Sequence, residues 1–323
     1  MSQKPLVVVV TPVYNGANYL EETIQSVQAQ LWPNVVHLIL DNCSTDETPE
    51  IIKRYEDGRV PILSYRNDET INVFENWNKA ISLVPSEAKY IRILCHDDTI
   101  TPDAIEKMAL LAESDPGIGV VGCLHDCAGA VQDFKWPASR SVFEGDEAIR
   151  MILLGEGVLM PIHVLVRKSV ADSRQPFLQQ FSLKSGARDF DAMMCLLQSS
   201  KFGFVHEGLA FTRVHEEAIT AQNFMGKTRS WTADALCFLT KFGPDVFNED
   251  YQEHLLRFRR YYVRRILRWR KQDGGEQNLA RHFEELENAG WHFGWQLVAD
   301  AIADWFLQRI KLRRNWTGYP GWQ

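Results

Sequence analysis

Apolar runs and amphipathic segments alternate regularly along the first 125 residues. Leu6–Thr11 (LVVVVT) is a continuous β-branched run, the pattern of a strand buried on both faces. A Pro/Asn/Gly turn ends it, and Ala17–Gln30 follows with Leu20, Ile24 and Val27 at helical spacing. Val35–Leu40 predicts a second strand, closed by the polar turn Asp41–Asp46, which can cap a helix over Thr48–Tyr55. Val60–Tyr65, Tyr90–Leu94 and Ile118–Cys123 predict three further strands. Val73–Leu83 predicts a helix, and Thr101-Pro102 opens another with proline at its first position. Repeated strand–helix units of this length predict an α/β fold, a mostly parallel central sheet flanked by helices.

Beyond about residue 125 the alternation loosens. Val164–Arg167, Phe202–Val205 and Leu209–Arg213 read as strands and Asp189–Gln198 as a helix. From Lys227 onward only helical patterns remain: Ser230–Phe242, Tyr251–Lys271, Glu276–Asn288 and Gly294–Lys311. The expected organisation is an α/β domain over 1–225 followed by an all-helical extension over 226–323, with no internal repeat.

Composition is ordinary for a globular protein, with 45% hydrophobic and 24% charged residues, which excludes disorder as the main state. No run approaches the roughly 20 apolar residues of a spanning helix, and Leu6–Val10 is too short for a signal-peptide core. The six cysteines are scattered, and Cys123/Cys127 lacks a second pair at zinc spacing. Reduced thiols and a cytoplasmic location are therefore expected.

Charge changes the picture more. Residues 226–323 hold 16 Lys/Arg against 12 Asp/Glu, so the first 225 carry −11 of the net −7. An acidic front argues against a nucleic-acid partner. Arg257–Lys271 (RFRRYYVRRILRWRK) has eight basic residues and no acid, with Phe258, Tyr262, Ile266 and Trp269 at helical spacing. Seven of the ten tryptophans also follow residue 225. Three readings stay open: a helix lying peripherally on an anionic membrane, a helix packed on the protein with solvated arginines, or a site for an acidic acceptor.

Candidate chemistry collects where predicted strands end, as ligands bind at the carboxyl ends of open parallel sheets. The first strand ends in Thr11-Pro12-Val13-Tyr14-Asn15, the second in Asp41 and the fourth in Cys95-His96-Asp97-Asp98. Adjacent carboxylates suit a hard cation such as Mg²⁺ or Mn²⁺; the plainer alternative is a turn before Thr101. Gly16 stands alone after the first strand, so neither GxGxxG nor a P-loop is present. A dinucleotide-dependent dehydrogenase and a P-loop kinase are disfavoured, and phosphate charge must be met by a metal or basic side chains.

The segments VVVVTPVYNGANYLEETIQSVQAQ, VVHLILDNCSTDETPEIIKRY, NWNKAI and YIRILCHDDTITPDAI, in this order, resemble family 2 of the glycosyltransferases, which have the GT-A fold. The resemblance implies that Thr11, Pro12 and Tyr14 belong to the nucleotide pocket and that Asp41 bonds the base edge, usually uracil. It implies Asp97 at the ribose or donor sugar and Asp98 as ligand to Mn²⁺ or Mg²⁺. His96 stands where an aspartate is commoner, and is a candidate third ligand. SGARDFDAMMCLLQ resembles the family's Glu-Asp-x-x-Leu-x-x-Arg segment, placing Asp189 at the catalytic base with Asp191 as its rival. Arg188 replaces the usual acid and Cys195 the usual arginine. A helix N-terminus is expected to keep Asp189 ionised. FTRVHEEAIT resembles the Tyr-Arg-x-His segment, with Phe211 in the tyrosine position and His215 coordinating metal or bonding diphosphate.

The implied activity is single-displacement, inverting transfer from a nucleotide-diphosphate sugar, a UDP-sugar, to a hydroxyl of a glycan or lipid-linked acceptor, in the cytoplasm or at the inner face of the plasma membrane. A protein or small-molecule glycosyltransferase, and an inactive glycan-binding relative, are the alternatives. The oligomeric state stays open.

Overall fold

A computed structural model describes residues 4–127, 129–132, 134–180, 187–215, 230–270, 275–288 and 290–310. Its two compact units are Met1–Ala148 with Gly157–Val214, and Ile149–Glu156 with His215–Gln323.

The first unit is built on a ten-stranded mixed sheet whose longest pairings are parallel. Strand β1 (Val7–Val13) lies inside it, and all seven of its residues are buried. This is why its sequence is apolar without alternation: both faces of the strand are covered. β2 (Val35–Asp41) and β4 (Tyr90–Ile93) flank β1, both parallel to it, and β3 (Ile62–Arg66) adds to the outer side of β2. β5 (Thr99–Ile100), β6 (Ile118–Cys127), β7 (Ala130–Val131), β8 (Val142–Phe143), β9 (Leu165–Arg167) and β10 (Lys201–Thr212) complete the sheet. The order is β3-β2-β1-β4-β9-β6-β10-β5, with β7 on β6 and β8 on β10. β9 enters antiparallel between β4 and β6.

Helices α1 (Leu20–Gln28), α2 (Thr48–Arg54), α3 (Val73–Ser82), α4 (Ala104–Ser114), α5 (Gly145–Leu154), α6 (Lys168–Ala171) and α7 (Arg188–Leu197) follow in chain order. Asn72 caps α3 by accepting the Phe74 amide. One part of the core joins Val7, Val9 and Tyr90 to Ile105, Met108 and Ala109 of α4; a second joins Val13 and Ile39 to Leu20 and Ile24 of α1 and to Ile51 of α2. The chain builds β1, β2 and β3 in one direction and then returns to place β4 on the other side of β1. The β1/β4 junction is therefore the topological switch point, where a crevice opens beyond the strand ends.

Local patterns misjudge several features here. The two late strands are one strand, β10, carried through Glu207-Gly208 by register shifts between Val205 and Ala210. The short strands β5, β7 and β8 and helices α5 and α6 also lie outside the elements the sequence predicts. No disulfide joins any of the six cysteines.

The second unit contains α8 (Ser230–Phe247), α9 (Tyr251–Trp269), α10 (Gly275–Asn288) and α11 (Trp295–Arg309). Residues 257–269 lie in α9. Its apolar stripe, Phe258, Tyr262, Val263, Ile266 and Trp269, is buried as the core of the helical unit. The Tyr262 hydroxyl lies 2.6 Å from His282 Nδ1. The acids missing from the segment arrive from α11: Arg260 pairs with Asp300 at 2.8 Å and Arg264 with Asp304 at 2.7 Å. The arginines of α9 are thus partly spent on packing. Among the described residues, no helix is long and apolar enough to cross a membrane.

Candidate functional site

The loops after β1 and β2 are laced together. Asn15, at φ 48°, donates its amide to Ser44 Oγ (2.9 Å), and its side-chain oxygen accepts the Thr45 amide (2.9 Å). The Gly16 amide donates to Thr48 Oγ1 (2.8 Å) and the Ala17 amide to Asp46 Oδ2 (3.0 Å). Gly16 is required by close approach: a Cβ there would stand 2.4 Å from Val13 Cγ2 and 2.8 Å from His96 Cδ2. The end of β1 is therefore pressed against the loop that follows β4.

The expected nucleotide residues separate in this frame. Tyr14, just past the end of β1, is exposed, whereas Pro12 is buried. Thr11 lies within β1. It has no accessible surface, and its hydroxyl lies 3.0 Å from Nε2 of His37, a buried imidazole that desolvation holds neutral with a pKa of about 3. Asp41 is almost fully buried; Oδ1 accepts the Ser44 amide (2.9 Å) and Oδ2 pairs with the Arg66 guanidinium. Arg66 also donates to the Ser44 carbonyl (2.8 Å). It escaped the sequence reading because the only signal is its place opposite Asp41 in the β2/β3 register.

The loop after β4 brings three groups together. Cys95 Sγ and carboxylate oxygens of Asp97 and Asp98 lie within 4.8 Å of one another. Thr23 of α1 anchors the loop, its hydroxyl 2.7 Å from the His96 carbonyl and 2.8 Å from that of Asp98. Asp98 is buried, and Oδ1 accepts the Arg213 amide at the end of β10 (3.0 Å). Its Oδ2 is 3.7 Å from His163 Nε2, but burial holds that imidazole well below its ordinary pKa, so the contact is no ion pair. Desolvation, then repulsion from Asp97, pushes the Asp98 carboxyl up to about 7, against the pull of Arg213 and Arg92. Burial first, and then the charges of Asp98, Asp97 and Asp189, raise the Cys95 thiol well above its usual value.

Two crowded carboxylates, one of them buried, form a site whose repulsion a cation would relieve, and hard oxygen donors fit Mg²⁺ or Mn²⁺. The protonated thiol is the weaker donor. Among the described residues, neither His96 nor His215 joins this group. His215 falls in the second compact unit.

Asp189 lies in the first turn of α7, with Oδ1 accepting the Phe190 amide (2.8 Å). The expectation that the helix terminus depresses its pKa is corrected: desolvation pushes the carboxyl up to about 6. A helix terminus contributes about 0.3–1 kcal/mol, less than the cost of removing water from a carboxylate. Its rival Asp191 is fully buried and ion-paired with Arg174 at 2.7 Å. Arg188 lies over the Phe74 ring, 4.2 Å from its centroid. Asp191→Ala is expected to destabilise the protein by about 3–5 kcal/mol, because Arg174 would be left buried without its partner. Thermal denaturation checks this, and an unchanged melting temperature would remove the structural role.

Comparison with known proteins agrees with this architecture. The family model described as glycosyl transferase family 2 matches residues 8–174. A putative teichuronic acid biosynthesis glycosyltransferase, TuaG of Bacillus subtilis, is 37% identical over 106 residues, 32% of this chain. The chain spans 40% of that relative's length. Residues 1–349 of S. aureus TarS, solved in complex with UDP-GlcNAc, superpose with a TM-score of 0.60 at 13% identity, covering 90% of this chain and 93% of that one. The mannosyltransferase PcManGT of Pyrobaculum calidifontis, in complex with GDP-Man and Mn²⁺, gives a TM-score of 0.57 at 15% identity over 98% and 84% of the two chains. These likenesses carry the fold, which is of GT-A type. The family match takes in the ends of β1, β2 and β4 but stops before Asp189 and His215. Because it extends over more than half of the sequence, the chain belongs to glycosyl transferase family 2.

Proposed function

We propose that this protein is a metal-dependent, inverting glycosyltransferase that moves a sugar from a UDP-sugar to a hydroxyl of a glycan or lipid-linked acceptor. The observation that carries the reading is the meeting of Asp97 and Asp98 in the loop after β4, beside the switch point of the sheet. In this reading Tyr14 and Pro12 border the base and Asp41 meets its edge. Asp97 turns to the ribose or donor sugar, and His215 bonds the diphosphate or the metal. The domain limits 1–225 and 226–323 belong to the same reading.

Asp189 takes the proton of the acceptor hydroxyl as its oxygen attacks the anomeric carbon, which assists the reaction by about 10²–10⁴-fold. A pKa of about 6 leaves the carboxylate ionised at neutral pH and more basic than an ordinary aspartate. The bond to the diphosphate breaks as the new glycosidic bond forms, so one displacement inverts the centre and no enzyme nucleophile is needed. Asp98, with Asp97, would hold Mn²⁺ or Mg²⁺, which supplies Lewis-acid stabilisation of the leaving diphosphate when bound. UDP-GlcNAc and GDP-Man in the complexes of TarS and PcManGT support a nucleotide-sugar donor. The printed role of the Bacillus relative in teichuronic acid biosynthesis supports a cell-envelope polysaccharide as product class.

A panel of nucleotide sugars read by release of free nucleotide, with and without Mn²⁺, tests the reading. Release of UDP from one UDP-sugar, in the presence of Mn²⁺ only, is expected. Release of GDP alone would overturn the uridine assignment. No release from any donor would favour the inactive, glycan-binding reading.

A further inference from the structure

Helix α11 is built the opposite way round from α9. α9 turns its apolar stripe inward, as a packing helix does. α11 leaves its large apolar side chains outside: Trp295 is 78% exposed, Phe306 57%, Ile302 51%, Ile310 at its C-terminal edge 48% and Trp305 43%. At 100° per residue these five positions fall within an arc of roughly 140°. The only two acids of the helix, Asp300 and Asp304, lie on the other side, held by Arg260 and Arg264. The outward face therefore carries no acid, and it ends in Arg309, whose guanidinium sits 4.6 Å from the Trp305 ring centroid.

We propose that this face of α11 seats the protein on an anionic lipid surface, the helix lying in the plane of the interface. The apolar stripe would enter the headgroup boundary, with its tryptophans at the level where amphipathic rings settle. Charge selects lipid over another protein surface. The sequence continues past the helix with Lys311, Arg313, Arg314 and Trp316, and residues 226–323 carry +4 against −11 for the rest. A basic end attracted to acidic headgroups, on a chain that is acidic elsewhere, fits an anionic leaflet. Helix α11 is not long and apolar enough to cross a membrane, so the proposal is of a helix lying on the surface and not of a span. The surface is thereby moved from the 257–271 stretch, whose apolar stripe is occupied, to the helix that pairs its acids with α9 and exposes its aromatics.

The test is co-sedimentation of the full chain with vesicles of phosphatidylcholine alone or mixed with phosphatidylglycerol. Binding to the mixed vesicles at low salt, weakening as salt rises, is expected. The triple variant Ile302→Gln, Trp305→Gln, Phe306→Gln should bind at least tenfold less. All three residues are exposed, so circular dichroism should report an unchanged fold. UDP affinity of the variant should equal that of the unmodified chain, which separates this surface from the catalytic reading. If the unmodified chain ignores the mixed vesicles at low salt, or the variant binds them equally well, the proposal is overturned. A concentration-dependent dimer that the variant loses, in a chain that does not bind vesicles, would instead give the face to a second copy.

Discussion

Asp189→Asn is expected to lower turnover by two or more orders of magnitude while leaving UDP affinity nearly unchanged. The amide keeps the size of the side chain and removes its basicity, so only proton transfer from the acceptor suffers. The raised pKa adds a pH signature. A base must be unprotonated, so turnover of the unmodified enzyme should climb as pH rises through about 6 and level off above it. That limb should be absent from whatever activity the variant retains. Stability should move the other way. Because folding raises this carboxyl's pKa, the charged form costs stability above about pH 6, and the cost is relieved as pH falls through that value. Asp189→Asn is therefore expected to melt at a higher temperature than the unmodified protein at pH 8, with a smaller difference at pH 5. The opposite pattern belongs to Asp191, whose loss should lower the melting temperature through Arg174. If Asp191→Asn proved the more damaging to turnover at intact stability, the base would move there.

Asp98→Ala is expected to abolish the dependence of UDP binding on Mn²⁺. Calorimetry on the unmodified chain should show UDP affinity raised tenfold or more by Mn²⁺, and the variant should show the same weak affinity with and without it. The geometry explains why one substitution suffices: Asp98 is the buried member of the pair, fixed by the Arg213 amide and by Thr23 beneath the loop. Asp97 is the more exposed of the two, its carbonyl accepting from Arg213 Nε (3.2 Å). In metal-free protein, Asp98→Asn should raise the melting temperature, since it removes a buried charge that stands against Asp97. A variant that kept its metal response would show that Asp98 is not the ligand. One that lost UDP binding altogether, with a lower melting temperature, would show that the loop had collapsed.

Strand β1 and the turns that close β1, β2 and β4 were legible because their signals are local. An uninterrupted β-branched run says that both faces are covered, and a polar cluster at its end says that the strand has reached the rim. The same locality explains the chemistry that could be read in advance: Asp97 and Asp98 are neighbours in the chain, so no fold is needed to place them side by side. Arg66 was invisible because its partner Asp41 meets it only through the β2/β3 register. Thr11 reads as a rim residue until His37, on the neighbouring strand, is seen to enclose it.

The two aspartates of α7 make the point at the smallest scale. Two positions apart on one helix, they are indistinguishable by composition. Arg174, seventeen residues upstream, takes Asp191 into the interior and leaves Asp189 at the rim. Helices α9 and α11 repeat it at the scale of the domain. Spacing declares α9 amphipathic but cannot say whether its apolar side meets lipid or protein. That depended on Asp300 and Asp304, some forty residues later in the chain, which pair with Arg260 and Arg264 on the side of α11 opposite its exposed aromatics. Periodicity is a property of neighbouring residues and survives in any context. Burial and ion pairing are properties of whichever distant surface arrives, because desolvation and charge act through space rather than along the chain.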